Sequence, residues 1–196
     1  MDYREYQNSR NAAWQVLIDC RVTQLPVRVT GICKHIGVPV RSYTPPGGGD
    51  GCSVVLGGRP VILISDRPPT ARRRFTAAHE LGHIMLGHLG ECGLLCREEE
   101  GNNSPLEQSA NAFAARLLAP SCVLWGCGVT SAEEIRALCD ISRTAAELRW
   151  QRLQQLYRRG RFLRHPLERQ VYRQFAPYIR ENRLRPCAVP AEREIE

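Results

Sequence analysis

Two histidines four residues apart, with a glutamate directly after the first, constrain this chain more than any other feature: His79-Glu80-Leu81-Gly82-His83. Residues i and i+4 share one face of a helix, so both imidazoles can reach a single metal ion. Glu80 then points beside the metal, where it can take a proton from an attacking water. The flanks agree with a packed helix. Phe75, Ala78, Leu81, Met85 and Leu86 recur at helical spacing and predict one apolar stripe. Gly82 is a poor helix former, and makes sense where a neighbouring backbone or a substrate must come close. A longer ligand pattern with a glycine at position 86 and a histidine at 89 is excluded, because the chain has Leu86 and Leu89.

A catalytic zinc usually has three protein ligands and one open position. Downstream donors are His88, Glu91, Cys92, Cys96, Glu98, Glu99, Glu100 and Glu107. Glu91 to Gly101 reads as a loop, and its three consecutive acids as a solvated turn. Pro105 opens a second helical pattern that runs to Pro120. Ser104 fits its N-cap, and Glu107, three residues on, could complete a capping box. Glu107 could equally reach the metal. It lies one turn before Ala110, and Ala110, Ala114 and Ala115 form a small-residue face that lets the two helices approach. Asn111 on this helix could orient a ligand or simply pack between helices.

Together these stretches, Arg74-Phe75-Thr76-Ala77-Ala78-His79-Glu80-Leu81-Gly82-His83 and Glu107 to Pro120, resemble the ImmA/IrrE family of metallopeptidases of bacteria and phages. The lead-in fits as well, through Leu25-Pro26, Gly37-Val38-Pro39-Val40, Asp50-Gly51 and Val61 to Ser65. The likeness spans about residues 20 to 157. It implies one catalytic Zn2+ held by His79, His83 and Glu107, with Glu80 as the base. It also implies a protein substrate, a helix-turn-helix repressor of a prophage or mobile element. Leu117-Leu118-Ala119-Pro120 departs slightly from the family's usual wording at that point. The rival reading is a non-enzymatic regulator that uses the same fold to bind a repressor or DNA. Such a protein has no need of Glu80, whereas a hydrolase does.

The expected fold is α+β. A zincin-like metallopeptidase core, helices plus a small sheet or hairpin, occupies residues 1–125, and a helical region follows over 126–196. Helices are expected over Tyr3 to Asp19 and Val27 to Ile36. Strands are expected over Val38 to Tyr43, Ser53 to Leu56 and Val61 to Ile64, with Gly57-Gly58 as a hairpin turn. Val61 to Ile64 or its hairpin partner is the candidate edge strand for binding substrate by strand addition, unless it is a buried central strand. Thr44 to Gly51 is turn-rich but no phosphate loop, since no Gly-Lys-Ser/Thr follows.

Residues 130–157 read as two helices with a tight turn, similar to a helix-turn-helix. Residues 143–196 carry 13 Arg against 6 Glu, and the whole excess of the +7 formal charge lies there. The second helix offers Arg143, Arg149 and Arg152, yet no Asn or Gln cluster stands at its start to read bases. The hairpin is therefore expected to brace the core, burying Ile135, Leu138, Ile141 and Leu148. Nucleic-acid binding should be at most weak and sequence-independent. One further amphipathic helix is expected around Leu167 to Ile179, and an extended tail beyond Arg185. No apolar run is long enough for a membrane span, and no secretory segment opens the chain. A cytoplasmic protein with no membrane partner is expected. Nine cysteines without C-x-x-C spacing read as reduced thiols, several of them buried.

Overall fold

The computed structural model describes residues 2–43, 49–89 and 104–185. Among them are nine helices and three strands, an α+β arrangement. The chain runs α1 (Tyr3–Asp19), α2 (Val29–His35), β1 (Val40–Ser42), β2 (Gly51–Leu56), β3 (Arg59–Ile64) and α3 (Thr70–Met85). It continues through α4 (Pro105–Leu118), α5 (Ser121–Gly126), α6 (Ala132–Cys139), α7 (Arg143–Arg159), α8 (Pro166–Gln174) and α9 (Ala176–Glu181). No helix among the described residues is long and apolar enough to cross a membrane.

The sheet order is β1-β3-β2. β3 pairs parallel with β1 and antiparallel with β2, and the β2–β3 hairpin turns at Gly57-Gly58. Val61 to Ile64 is thus the central strand, which removes it as a substrate edge and leaves its hairpin partner β2. One face of the sheet rests on α3, where Ile62 and Ile64 join Ala77, Ala78 and Leu81 in the core. On its far side α3 packs along α4, and α4 in turn packs along α1. The small-residue face does what the sequence suggested. Ala110 and Ala114 are fully buried, and at Gly82 the two helices come close enough that a Cβ would touch Ala110 backbone.

Several sequence expectations change. Met85 is 41% exposed, because α3 ends there and its last side chain overhangs the core. The amphipathic segment around residues 167–179 is two helices, α8 and α9. Pro177 lacks a backbone N–H and breaks the ladder, so it sits in the first turn of α9. The buried run Cys122-Val123-Leu124-Trp125 forms the short α5, an element the periodicity did not announce. Three residues, 140–142, separate α6 from α7, with Asp140 in the left-handed conformation. Ile135 and Ile141 are buried in the common core and Leu138 packs on it, but Leu148 is 62% exposed. The inward face of α7 is instead Ala146, Arg149 and Leu153. The expected tail beyond Arg185 and the loop at 91–101, with Cys92, Cys96 and the three glutamates, lie outside the described residues.

Candidate metal centre and active site

Helix α3 presents His79 and His83 one turn apart with their Nε2 atoms 3.0 Å from each other. Helix α4 brings Glu107 to the same point. Its Oε2 lies 3.1 Å from His79 Nε2 and its Oε1 3.3 Å from His83 Nε2. Ser104 caps α4 by accepting from the Glu107 backbone N–H, so the cap uses the backbone of Glu107 while its carboxylate faces the histidines. One donor atom from each of the three residues falls within a 4.8 Å cluster. For four ligands about 2.0 Å from a tetrahedral zinc, the ligand–ligand edge is about 3.3 Å. The His79–His83 separation lies close to that edge, and each imidazole meets its own carboxylate oxygen of Glu107 at a similar distance.

The hydrogen bonds behind the imidazoles are all satisfied by the tautomers that leave both Nε2 atoms bare. His79 Nδ1 lies 3.0 Å from Asn111 Oδ1, which can only accept, so Nδ1 carries the proton and Nε2 is bare. His83 Nδ1 lies 3.0 Å from His88 Nδ1, and His88 Nε2 lies 3.4 Å from Ser109 Oγ. Ser109 Oγ donates onward to the Leu106 carbonyl. This chain is satisfied throughout when His83 donates to His88, His88 to Ser109 and Ser109 to Leu106. His83 Nε2 is then bare as well. Burial lowers the His88 pKa, against a smaller opposing pull from Glu107, which keeps its ring neutral as the relay requires. Two bare imidazole nitrogens and two carboxylate oxygens therefore converge on one point. Four acceptors facing one another repel unless a cation lies between them.

His88 stood among the possible third ligands; the structure places it behind His83 instead. The helix end explains how. Gly87 has φ 74°, its N–H bonds to the Ile84 carbonyl, and the His88 N–H bonds back to the His83 carbonyl. This is a Schellman ending, and it folds the His88 ring against that of His83 at 5.1 Å. The other early candidates, Glu91, Cys92, Cys96 and Glu98 to Glu100, lie outside the described residues.

Glu80 is fully buried between α3 and the sheet. Ser53 of β2, itself fully buried, donates to Glu80 Oε2 at 2.7 Å. The sequence reading missed Ser53 and Ser109. Each is a serine on an otherwise ordinary strand or helix, and only the inward alternation of β2 could have singled out Ser53.

The Peptidase_M78 family model, described as the IrrE N-terminal-like domain, matches residues 33–151. The chain belongs to this family. None of the curated proteins matches it. The matched stretch contains His79, Glu80, His83 and Glu107 together with Ser53, His88, Ser109 and Asn111. Membership in this peptidase family agrees with the resemblance seen in the sequence motifs, and it makes peptide-bond hydrolysis the function class.

Proposed function

We propose that the chain is a zinc-dependent endopeptidase in which His79, His83 and Glu107 hold one catalytic Zn2+ and Glu80 is the general base. The convergence of four hydrogen-bond acceptors beside a buried glutamate carries this reading. When bound, the ion would polarise the scissile carbonyl and make water a better nucleophile at neutral pH. The protein's own groups supply the rest. Asn111 and His88 hold the two imidazoles in the ligating tautomer. Ser53 fixes the carboxylate of Glu80, which accepts the proton of the attacking water and then delivers it to the leaving amine. β2 lies at the sheet edge and carries Ser53, so an extended peptide added along residues 53–56 would pass beside Glu80.

The resemblance supports a substrate class for this reading: a helix-turn-helix repressor of a prophage or mobile element. A cytoplasmic setting fits the six described cysteines, all of them free thiols. In this reading α6 and α7 brace the peptidase, and nucleic acid binds weakly and without sequence preference. The deciding experiment pairs elemental analysis of protein purified without added zinc with a Glu80→Gln variant. One zinc per chain is expected in both proteins, with repressor cleavage only in the wild type. A Glu80→Gln protein that still derepresses the target genes in cells would instead make the chain a non-enzymatic regulator.

A further inference from the structure

A cavity lies at the far end of α4. It has a volume of about 570 Å³ and opens between α1, α4, α7 and the start of α8. Arg10, Arg116, Arg149 and Arg152 line its interior, and Arg159, Arg161 and Arg164 its exposed rim. Against these seven cations stands one lining carboxylate among the described residues, Glu168. It accepts from the Arg164 backbone N–H, and burial raises its pKa. None of the seven arginines forms an ion pair with a carboxylate among the described residues.

Two of these guanidiniums are in the interior. Arg116 is 9% exposed and Arg149 is 8% exposed. Each is oriented by a main-chain carbonyl. Arg116 Nη1 donates to Ala112 at 2.6 Å, and Arg149 Nε donates to Ala119 at 2.7 Å. For Arg149 this is the only hydrogen bond among the described residues, so both of its Nη groups are left for the cavity. Burial first, and then the neighbouring Arg116, push the Arg149 guanidinium down to about 10. Arg152 is steadied by the Tyr6 hydroxyl and Gln155. Burial alone would raise the Tyr6 phenol, but Arg116 and Arg152 lower it overall. The cavity thus favours negative charge even on an uncharged side chain.

We infer that this cavity is a binding site for a compact polyanion, a di- or triphosphate group. Buried charges without counter-charges are strongly unfavourable, and the missing partner here is an anion. Guanidinium forks match phosphate oxygens in pairs. A single carboxylate would supply one negative charge to a cluster that lacks several, whereas a diphosphate supplies about three. The volume falls in the range of small-molecule pockets, about 300–1,000 Å³. The two anchors lie too deep for the backbone of a nucleic-acid duplex, which would meet only the rim. The site is distinct from the metal centre, since Arg116 is about 13 Å further along α4 than Glu107.

Calorimetric titration of the full chain with sodium pyrophosphate, at about 0.15 M salt, tests the assignment. One equivalent should bind and should raise the melting temperature. Arg10 and Arg152 are half-buried and, among the described residues, donate to side chains rather than to main-chain carbonyls, so Arg10→Ala and Arg152→Ala can be made without opening the core. Each should weaken binding by about tenfold, with Arg152→Lys intermediate and circular dichroism unchanged. The thermal shift of the wild type is independent of any variant that fails to fold. A nucleoside triphosphate that binds more tightly than pyrophosphate would extend the site to a nucleotide, and equal affinity would confine it to the phosphates. Absence of saturable binding at millimolar pyrophosphate would overturn the inference. So would unchanged affinity in both alanine variants, or displacement of pyrophosphate by duplex DNA.

Discussion

Replacing Gly82 by alanine tests whether the approach of α3 to α4 sets the metal centre. A Cβ at this position would stand 3.0 Å from Phe113 Cδ1, 3.2 Å from the Ala110 carbonyl oxygen and 3.3 Å from Ala110 Cα. Non-bonded carbons rest about 3.5–4.0 Å apart, so α4 must retreat by about 0.5 Å. Neither neighbour yields easily. Phe113 and Ala110 are fully buried, and two of the three contacts are to backbone. Overpacking of this kind costs about 1–3 kcal/mol. The better helix propensity of alanine offsets about 1 kcal/mol. The net loss, about 1 kcal/mol, lowers the melting temperature by about 2–4 °C in a chain of this size. A larger effect falls on the metal. Glu107 is one turn from Ala110, so the retreat draws its carboxylate away from His79 and His83. Disturbing ligand placement weakens metal binding by about 10- to 100-fold. Thermal melting of the metal-free protein and competition against a chelator separate the two effects. A Gly82→Ala protein that melts above the wild type and holds its metal as tightly would refute the close-approach argument.

Asn111→Ala should weaken metal binding by about 10- to 100-fold without changing helix content; an unchanged chelator competition curve would reduce Asn111 to a packing residue. Ser53→Ala should keep the full metal content while kcat falls by about tenfold, the loss of one hydrogen bond to a charged group. A kcat equal to that of the wild type would show that Ser53 does not position Glu80. Burial pushes the Cys33 and Cys139 thiols up to about 12 and raises that of Cys122. Since the thiolate is the nucleophile, iodoacetamide at pH 8 should leave all three unmodified in the native protein and label them once urea opens the core. Rapid labelling without denaturant would contradict the full burial of Cys33 in α2, Cys122 in α5 and Cys139 in α6.

The metal helix, its partner helix and the hairpin could be read from the sequence because each carries a local, periodic signal. His79 and His83 lie at one helical spacing, Ala110 and Ala114 at another, and Gly57-Gly58 punctuates two apolar runs. What the sequence did not show depends on contacts between distant segments. Ser53 meets Glu80 across 27 positions, and Ser109 meets His88 across 21. No local rule distinguishes these serines from others. The inward face of α7 differs from the sequence expectation for a related reason. Leu148 is apolar, yet Arg149 takes the interior because the Ala119 carbonyl at the end of α4 and the neighbouring cavity give its guanidinium a polar place. Periodicity orders side chains around a helix axis, but it does not say which of two adjacent faces the rest of the fold will cover.

The bond from Arg149 to Ala119 has a consequence for modularity. Ala119 ends the helix that carries Glu107, and its carbonyl, buried at 1% exposure, takes its side-chain donor from the second helix of the C-terminal hairpin. A chain shortened at about residue 125 would remove that donor and open the end of α4 to water. It would also uncover Val123 and Leu124, which share one core with Ile135, Leu153 and Phe175. The C-terminal helices therefore share their core with the peptidase half, and exchanging them for another effector is expected to lower its melting temperature. Substitutions that alter α7 should be inherited together with compensating changes at the end of α4.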